Sequence, residues 1–422
     1  MRLKRSVLTV LFVALVASGA ASASPRVTYG IQDDAWLAFG PGSVEQRIGS
    51  LKELGVPLVR YTLRWDQIAA KRPRYPRWSG SRAYTWGSSD RVLKALHSHH
   101  VQAVLTIWGA PPWANGGRGP SYAPTSPRFM ADFAHAAAQR FPWVRKWLIW
   151  NEPNQRRFLW PPTPEVYVQR ILNPAYTALH AANSRNRVGG GVTAPRGAFS
   201  PVTWIRRMRA AGAMLDAYAH NPYPEHPRSE SPTSGGCAHC RSITMATLDR
   251  LERETQKAWG QKRLWLTEYG YQTNPPERVL GVSYAAQARY VSDAALRAYD
   301  AARVDMLIHF LLRDDRSPAG WQSGLFTANG TRKPAAQAYP LPLAEVSRLG
   351  GDTVLWGQVR PHQGKRPYRL QEFRAGRWRW LSGTRRTNAR GFLQRTVRAG
   401  KGARFRVWSP LDREFSAVLV VH

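Results

Sequence analysis

Two glutamates stand in settings that could do chemistry. Glu152 lies in Trp150-Asn151-Glu152-Pro153-Asn154, and Glu268 in Thr267-Glu268-Tyr269-Gly270; each closes an apolar run. Two carboxyls facing each other across a cleft suit cleavage of a glycosidic bond. One must be protonated, to deliver a proton to the leaving oxygen, and the other ionised, to attack the sugar carbon. Different surroundings would have to push their pKa values apart. A lone glutamate after a strand is as well explained as a salt-bridge partner; a pair in aromatic surroundings points to catalysis.

Aromatic residues gather near the same places. Trp65, Trp86, Trp108, Trp113, Trp150, Trp160, Tyr269, Tyr271 and Trp321 all fall in or near segments that follow apolar runs. Ring faces suit the C–H faces of sugars. About half are expected to contact substrate, the rest being ordinary core.

The elements that must hold these residues alternate. Apolar runs at Val27–Ile31, Leu58–Leu63, Val101–Ile107, Val144–Trp150, Arg187–Val192, Leu215–His220, Arg263–Thr267 and Asp305–Leu311 read as strands. The fifth is the weakest, because it holds three glycines. Amphipathic segments lie between them, among them Val44–Leu54, Asp90–His97, Arg128–Arg140, Pro164–Ala182 and Tyr284–Tyr299. Eight strand-then-helix units predict a (β/α)₈ barrel, a TIM barrel, over residues 24–345. An open doubly wound sheet would alternate too, but with fewer units. In such a barrel the active site lies at the C-terminal ends of the strands, where Glu152 ends the fourth and Glu268 the seventh. They are 116 residues apart, longer than three units of a compact barrel, and the excess falls mostly in the segment Tyr223–Cys240.

Beyond Gly350 and Gly351 the pattern changes to period two, with short strands separated by Gly, Ala and Asn turns. This predicts a small all-β sandwich over residues 346–422. From Leu349 to His422 there are sixteen Lys/Arg and four Asp/Glu, a net of +12. The sandwich reads as an accessory domain that binds a polymer, such as an anionic cell-wall polymer, or as a purely structural cap.

The Trp150-Asn151-Glu152-Pro153 motif resembles the strand-four signature of clan A glycoside hydrolases, and Glu268 matches their strand-seven nucleophile. The wording Trp-Asn-Glu-Pro-Asn is most similar to family 39 and its bacterial relatives, with family 5 cellulase-type enzymes next. The resemblance covers roughly Val27 to Tyr339. It implies a retaining double displacement, with Glu152 as acid/base, Glu268 as nucleophile, and carboxyls about 5–5.5 Å apart. It also implies substrate-side roles for further residues. Asn151 matches the group that hydrogen-bonds the sugar 2-hydroxyl. Arg60 matches an arginine that keeps the nucleophile ionised, although Arg60 or its neighbour Arg64 could be only a structural ion pair. In His220-Asn221-Pro222-Tyr223, Tyr223 matches a hydrogen-bond partner of the nucleophile; His220 matches a strand-six imidazole or is a satisfied core histidine. Many clan members end strand eight with tryptophan. Here that position reads Ile308-His309-Phe310-Leu311, so Trp321 on the following loop is the expected substitute, beside Trp108 on the third strand.

Composition limits the classes. The chain has 422 residues, 43% hydrophobic and 21% charged, with 61 Lys/Arg against 27 Asp/Glu, a net charge of +34. That charge reflects either an Arg-rich composition or adhesion to an anionic wall or polysaccharide. Arg2, Lys4 and Arg5, the apolar run Val7–Ala17 and Ala21-Ser22-Ala23 read as a secretory signal peptide over residues 1–23. The expected location is therefore secreted or cell-wall associated, with no membrane span after cleavage and no nucleic-acid partner. Neither a dinucleotide nor a P-loop glycine motif follows a strand, so no nucleotide cofactor is expected, and the chemistry needs no metal. Cys237 and Cys240, in Cys237-Ala238-His239-Cys240, are expected to form a local disulfide. A redox pair, or a zinc site drawing on His239 and His226, is the alternative. The function expected is hydrolysis of a poly- or oligosaccharide. The alternatives are a non-catalytic polysaccharide-binding protein on a barrel scaffold and a basic wall-adhesion protein driven by its C-terminal domain.

Overall fold

The computed structural model describes residues 26–422, so the signal-peptide reading of residues 1–23 lies outside the described residues. Eight parallel strands close into a barrel in chain order. They are β1 (Thr28–Gln32), β2 (Leu58–Arg64), β3 (Gln102–Trp108), β4 (Lys146–Ile149), β5 (Arg187–Thr193), β6 (Ala217–His220), β7 (Arg263–Tyr269) and β8 (Val304–Phe310). Each agrees with its expected apolar run to within a few residues. Both faces of a barrel strand are covered, so its sequence reads as a continuous apolar run rather than an alternation.

The three glycines of β5 have a packing reason. The barrel interior is filled by a cluster that includes Leu148, Val192, Trp265, Met306 and Ile308. A Cβ on Gly189 would meet the Trp265 ring at 2.7 Å and Leu148 at 2.8 Å. The indole of β7 therefore occupies the volume that β5 leaves free. Gly191 has φ +91° and lies against the Tyr218 ring, a left-handed conformation that side chains disfavour.

The expected helix Pro164–Ala182 forms, but its middle, Val168–Leu172, is a π turn. Pro174 follows at once. It cannot donate to the carbonyl one turn back, and its ring crowds that carbonyl, so the wider turn absorbs the missing bond. The eighth helix is one turn, Ala335–Ala338, ahead of Pro340 and Pro342.

The C-terminal part is antiparallel and forms two sheets. Its strands are β9 (Leu343–Leu349), β10 (Asp352–Gln358), β11 (Pro367–Arg374), β12 (Arg377–Trp380), β13 (Arg385–Arg386), β14 (Phe392–Arg398), β15 (Arg404–Ser409), β16 (Glu414–Phe415) and β17 (Leu419–Val420). One sheet runs β14-β10-β9; the other runs β12-β11-β15-β16, with β13 on β11 and β17 on β15. Leu355, Leu370, Phe405 and Val407 fill the space between the sheets. Trp356 and Phe392 pack instead on Tyr299, from the barrel helix Tyr284–Asp300. Arg360 is buried between Tyr29 of β1, at 4.0 Å, and Tyr339, at 4.4 Å. These contacts dock the sandwich on the barrel. Among the described residues no helix is long and apolar enough to cross a membrane.

Candidate active site

Glu152 and Glu268 both come to the C-terminal mouth of the barrel and are 7% and 8% exposed. They line one cleft of about 950 Å³ with Asn151, Tyr223 and Trp321. A second cavity of about 550 Å³ adjoins it and shares Gln32, Asp34, Asn151, Phe158 and Glu268 as walls; Arg60, Arg64 and Trp108 line this arm. Glu268 thus stands where two arms of one groove meet.

The backbone around Glu152 is unusual. Trp150 has φ +73° and Glu152 φ +41°, each a left-handed conformation costing about 1–3 kcal/mol without glycine. The surroundings impose it. The Trp150 ring is fully buried, its amide donates to the Ile107 carbonyl at 2.8 Å, and its Nε1 donates to the Phe158 carbonyl at 2.7 Å. The Glu152 amide donates to the Val192 carbonyl at 2.9 Å. The chain therefore leaves β4 sharply, and the carboxyl turns into the cleft.

The two carboxyls live in different fields. Arg60, buried on β2, donates through Nη1 to Glu268 Oε1 at 2.5 Å and through Nη2 to Asn151 Oδ1 at 2.8 Å. Its Nε donates to Thr106 Oγ1 at 2.9 Å, so all of its fork is engaged. Tyr223 Oη donates to the other oxygen of Glu268 at 3.2 Å. Burial and the neighbouring carboxylates push the Tyr223 phenol well above its ordinary value, so it stays a donor. Among the described residues no arginine forms an ion pair with Glu152. Asn221 Nδ2 donates to its Oε1 at 3.1 Å and Gln155 Nε2 to its Oε2 at 2.9 Å. Burial, and then the charge of Glu268, push the Glu152 carboxyl up to about 7. One carboxyl is ion-paired; the other has its proton affinity raised.

The structure brings Arg60, Asn151, Tyr223, Trp108 and Trp321 to the cleft with the two glutamates. Arg60 is an ion-pair partner of Glu268 rather than of a structural acid; Arg64 takes that other part, pairing with Asp66 at 2.7 Å. Trp321 packs on Tyr223 at 5.3 Å and on Phe310 at 5.6 Å, so the loop after β8 supplies the indole that the strand end lacks.

His220 is a correction. It is fully buried and lines neither arm of the groove. Its Nε2 faces the Ile243 carbonyl at 2.9 Å and its Nδ1 the Thr193 hydroxyl at 2.8 Å. The Nε2 must donate, which leaves Nδ1 to accept from the hydroxyl. Burial lowers the ring to about 4. His220 is a satisfied core histidine that braces β5 against the segment after β6, not a substrate contact. The aromatic expectation also narrows. Trp65, Trp150 and Tyr269 belong to the core, and Trp86 and Tyr271 reach the groove wall nearly buried. Trp113 lines a separate cavity with Phe129, and Trp160 packs at a tilt on Tyr122. Of the expected rings, Trp108 and Trp321 are the partly exposed ones in the groove.

Cys237 and Cys240 are bonded, closing a small ring in the long segment between β6 and the helix Leu248–Trp259. Among the described residues no three His, Cys, Asp or Glu side chains come together as a metal site.

Sequence reasoning passed over Asn221, Gln155 and Asp34. Asn221 directly follows β6, and Asp34 lies just past the end of β1, so the rule that strand ends carry the site was enough to find both. Asp34 lines both arms, and burial raises its carboxyl. Gln155 reaches Glu152 only through the local turn, in which its amide donates to the Glu152 carbonyl at 2.9 Å.

No protein-family model and no curated protein matches the chain. Solved structures do. A family 39 glycoside hydrolase from the gut symbiont Bacteroides cellulosilyticus WH2 superposes with a TM-score of 0.60 at 15% identity, covering 90% of this chain and 81% of that one. A β-glucosidase from Thermotoga maritima superposes with a TM-score of 0.51 at 12% identity, over 75% of this chain and 97% of that one. A Bacteroides uniformis β-glucuronidase does so with a TM-score of 0.50 at 12% identity, over 95% of this chain but 46% of its own. The architecture of this chain, an eight-stranded parallel barrel followed by an antiparallel β domain, is thus similar in fold to a family 39 glycoside hydrolase, as its Trp150–Asn154 motif suggests.

Proposed function

We propose that this chain is a retaining glycoside hydrolase acting on an oligo- or polysaccharide outside the cytoplasm. The observation that carries the reading is the contrast between its two cleft carboxyls. Glu268 is ion-paired to Arg60 and hydrogen-bonded by Tyr223, whereas Glu152 has its proton affinity raised by burial and by Glu268. The likeness in fold to a family 39 enzyme supports it. The N-terminal residues Arg2 to Ala23 and the Cys237–Cys240 bridge support export.

The mechanism follows from the two environments. A sugar bound where the arms meet has its anomeric carbon before Glu268. The carboxylate oxygen attacks that carbon, while Glu152 gives its proton to the departing glycosidic oxygen. Glu268 becomes a neutral glycosyl ester. Its charge no longer acts on Glu152, whose proton affinity falls at the step where it must serve as a base. A water attacks the anomeric carbon, Glu152 takes its proton, and the bond from that carbon to Glu268 breaks, releasing Glu268 as carboxylate. Arg60 and Tyr223 fix the direction of the Glu268 oxygens throughout. The two carboxyls supply both the nucleophile and the proton, so the scheme draws on no cofactor. An open groove with walls on both sides of Glu268 suits a chain longer than one sugar.

The test is a panel of polysaccharides and aryl glycosides, with product anomers followed by NMR. Retention of configuration is expected, with activity reduced at least about 1,000-fold in Glu268→Gln. Glu152→Ala should lose poorly leaving substrates and spare those with acidic aglycones, because only the former need the proton. Inverted product, or unchanged activity in Glu268→Gln, would sink the reading.

A further inference from the structure

The sheet β12-β11-β15-β16 has two unlike faces. Tyr368, Leu370, Phe405 and Val407 point inward to the sandwich core. The alternate residues point outward, and strand register aligns them. Gln371 pairs with Trp380 and Arg406, and Trp408 pairs with Arg369 and Phe415. This face carries rings and guanidinium groups in contact. Arg369 lies 3.7 Å over Trp380, and Arg404 lies 3.9 Å over Phe373. Arg406 sits between Trp378 at 4.2 Å and Phe415 at 3.7 Å.

These arginines have no acid of their own. Among the described residues, the carboxylates of this sheet pair elsewhere: Glu372 with Arg374, Glu414 with Arg332, and Asp412 with His362. Arg406 Nε donates to Gln371, which is neutral. The barrel helix Tyr284–Asp300 packs on β9 and β10 of the other sheet. Trp380 is 41% exposed. A guanidinium stacked on a ring loses little freedom, and its in-plane N–H groups point outward as a fixed fork.

We propose that this outer face binds an acidic polysaccharide, a chain whose sugars carry carboxylates. Charge complementarity names the anion, since forked donors on planar guanidinium groups match carboxylate oxygens. The exposed Trp380 names the sugar, because a uronic acid unit brings a C–H face together with its carboxylate. Arg404 and Arg406, two apart on one strand, are spaced roughly 7 Å along it, so the face presents a row of positive groups. Glu414 of β16 is tied to Arg332, on the segment after β8 that also carries Trp321. The binding face is thereby joined to the loop that walls the catalytic groove. The proposal rests on the glycosidase reading only for the kind of polymer, not for the binding itself.

The test uses the full chain in affinity electrophoresis and calorimetry with polygalacturonate, against dextran and single-stranded DNA. Wild type should bind polygalacturonate, and dextran not at all. The triple variant Arg369→Gln/Arg404→Gln/Arg406→Gln should bind at least tenfold more weakly at the same melting temperature, and cleave small aryl glycosides at the wild-type rate. Arg348→Gln/Arg398→Gln/Lys401→Gln removes the same charge from exposed positions on or beside the other sheet and should keep the affinity. Trp380→Ala, an exposed edge position, gives the same reading if the triple variant misfolds. Equal losses in both triple variants would mean nonspecific charge and overturn the proposal. So would tighter binding of DNA, or a face buried in a concentration-dependent dimer with no glycan bound. Intact polymer binding in a protein that cleaves no glycoside would defeat the catalytic reading alone.

Discussion

The charge of Glu268 acts on Glu152 across the cleft, raising a proton affinity that burial has already raised. Removing that charge should reverse its part of the effect. In Glu268→Gln, the Glu152 carboxyl should titrate about one unit lower than in wild type. A carbon-detected NMR titration of labelled glutamate would read this, and an unmoved Glu152 would mean that the carboxyls do not sense one another.

The acid must be protonated to work, so activity should fall as pH rises through the Glu152 value near 7. Asn221 donates to Glu152 and favours its charged form, holding that value down. Asn221→Ala should therefore move the alkaline limb of kcat/KM upward. A pH–rate profile of both proteins decides it; a downward shift would contradict the assigned hydrogen bond.

Arg60 binds Glu268, Asn151 and Thr106 with a planar fork. A lysine keeps the charge but cannot reach all three. Arg60→Lys should lose on the order of 100-fold in kcat/KM through misplacement of the nucleophile. Full activity would show that charge alone suffices.

His220 is neutral in the fold, with its ring lowered to about 4. The unfolded chain takes up a proton near the ordinary 6.5. Between those values the unfolded state binds more protons, so stability is lost as pH falls from about 6.5 to 4. The contribution is on the order of 3 kcal/mol at the acid end. Raised carboxyls such as Asp33, at about 6, act in the opposite sense. The comparison must therefore be between wild type and His220→Gln, melted at pH 7 and pH 5. The wild type should lose more on acidification.

Lys333 and Asp314 form a fully buried pair at 2.7 Å, and Lys333 also donates to Thr273 at 2.8 Å. They pin the loop that carries Trp321. Lys333→Met leaves the Asp314 carboxyl uncompensated and should cost about 3–5 kcal/mol. Calorimetry would measure it, and a loss within about 0.5 kcal/mol would mark the pair as dispensable.

The sequence by itself determined the barrel and the places of Glu152 and Glu268. Barrel strands are covered on both faces, so they leave unbroken apolar runs, and a site at strand ends inherits its address from those runs. Arg60 lies within β2, not at its end, and its pairing with Glu268 was expected only from the resemblance to clan A glycoside hydrolases. Tertiary structure alone decided the rest. His220 and Tyr223 stand three residues apart in one motif, yet one turns into the core and the other into the cleft, because a local sequence does not say which neighbours arrive from β5 and the loop before Leu248. The three glycines of β5 weakened the strand reading until Trp265, from β7, accounted for one of them. Glu152 and Glu268 have the same side chain; the field that raises the proton affinity of one and ion-pairs the other is set by partners distant in the chain.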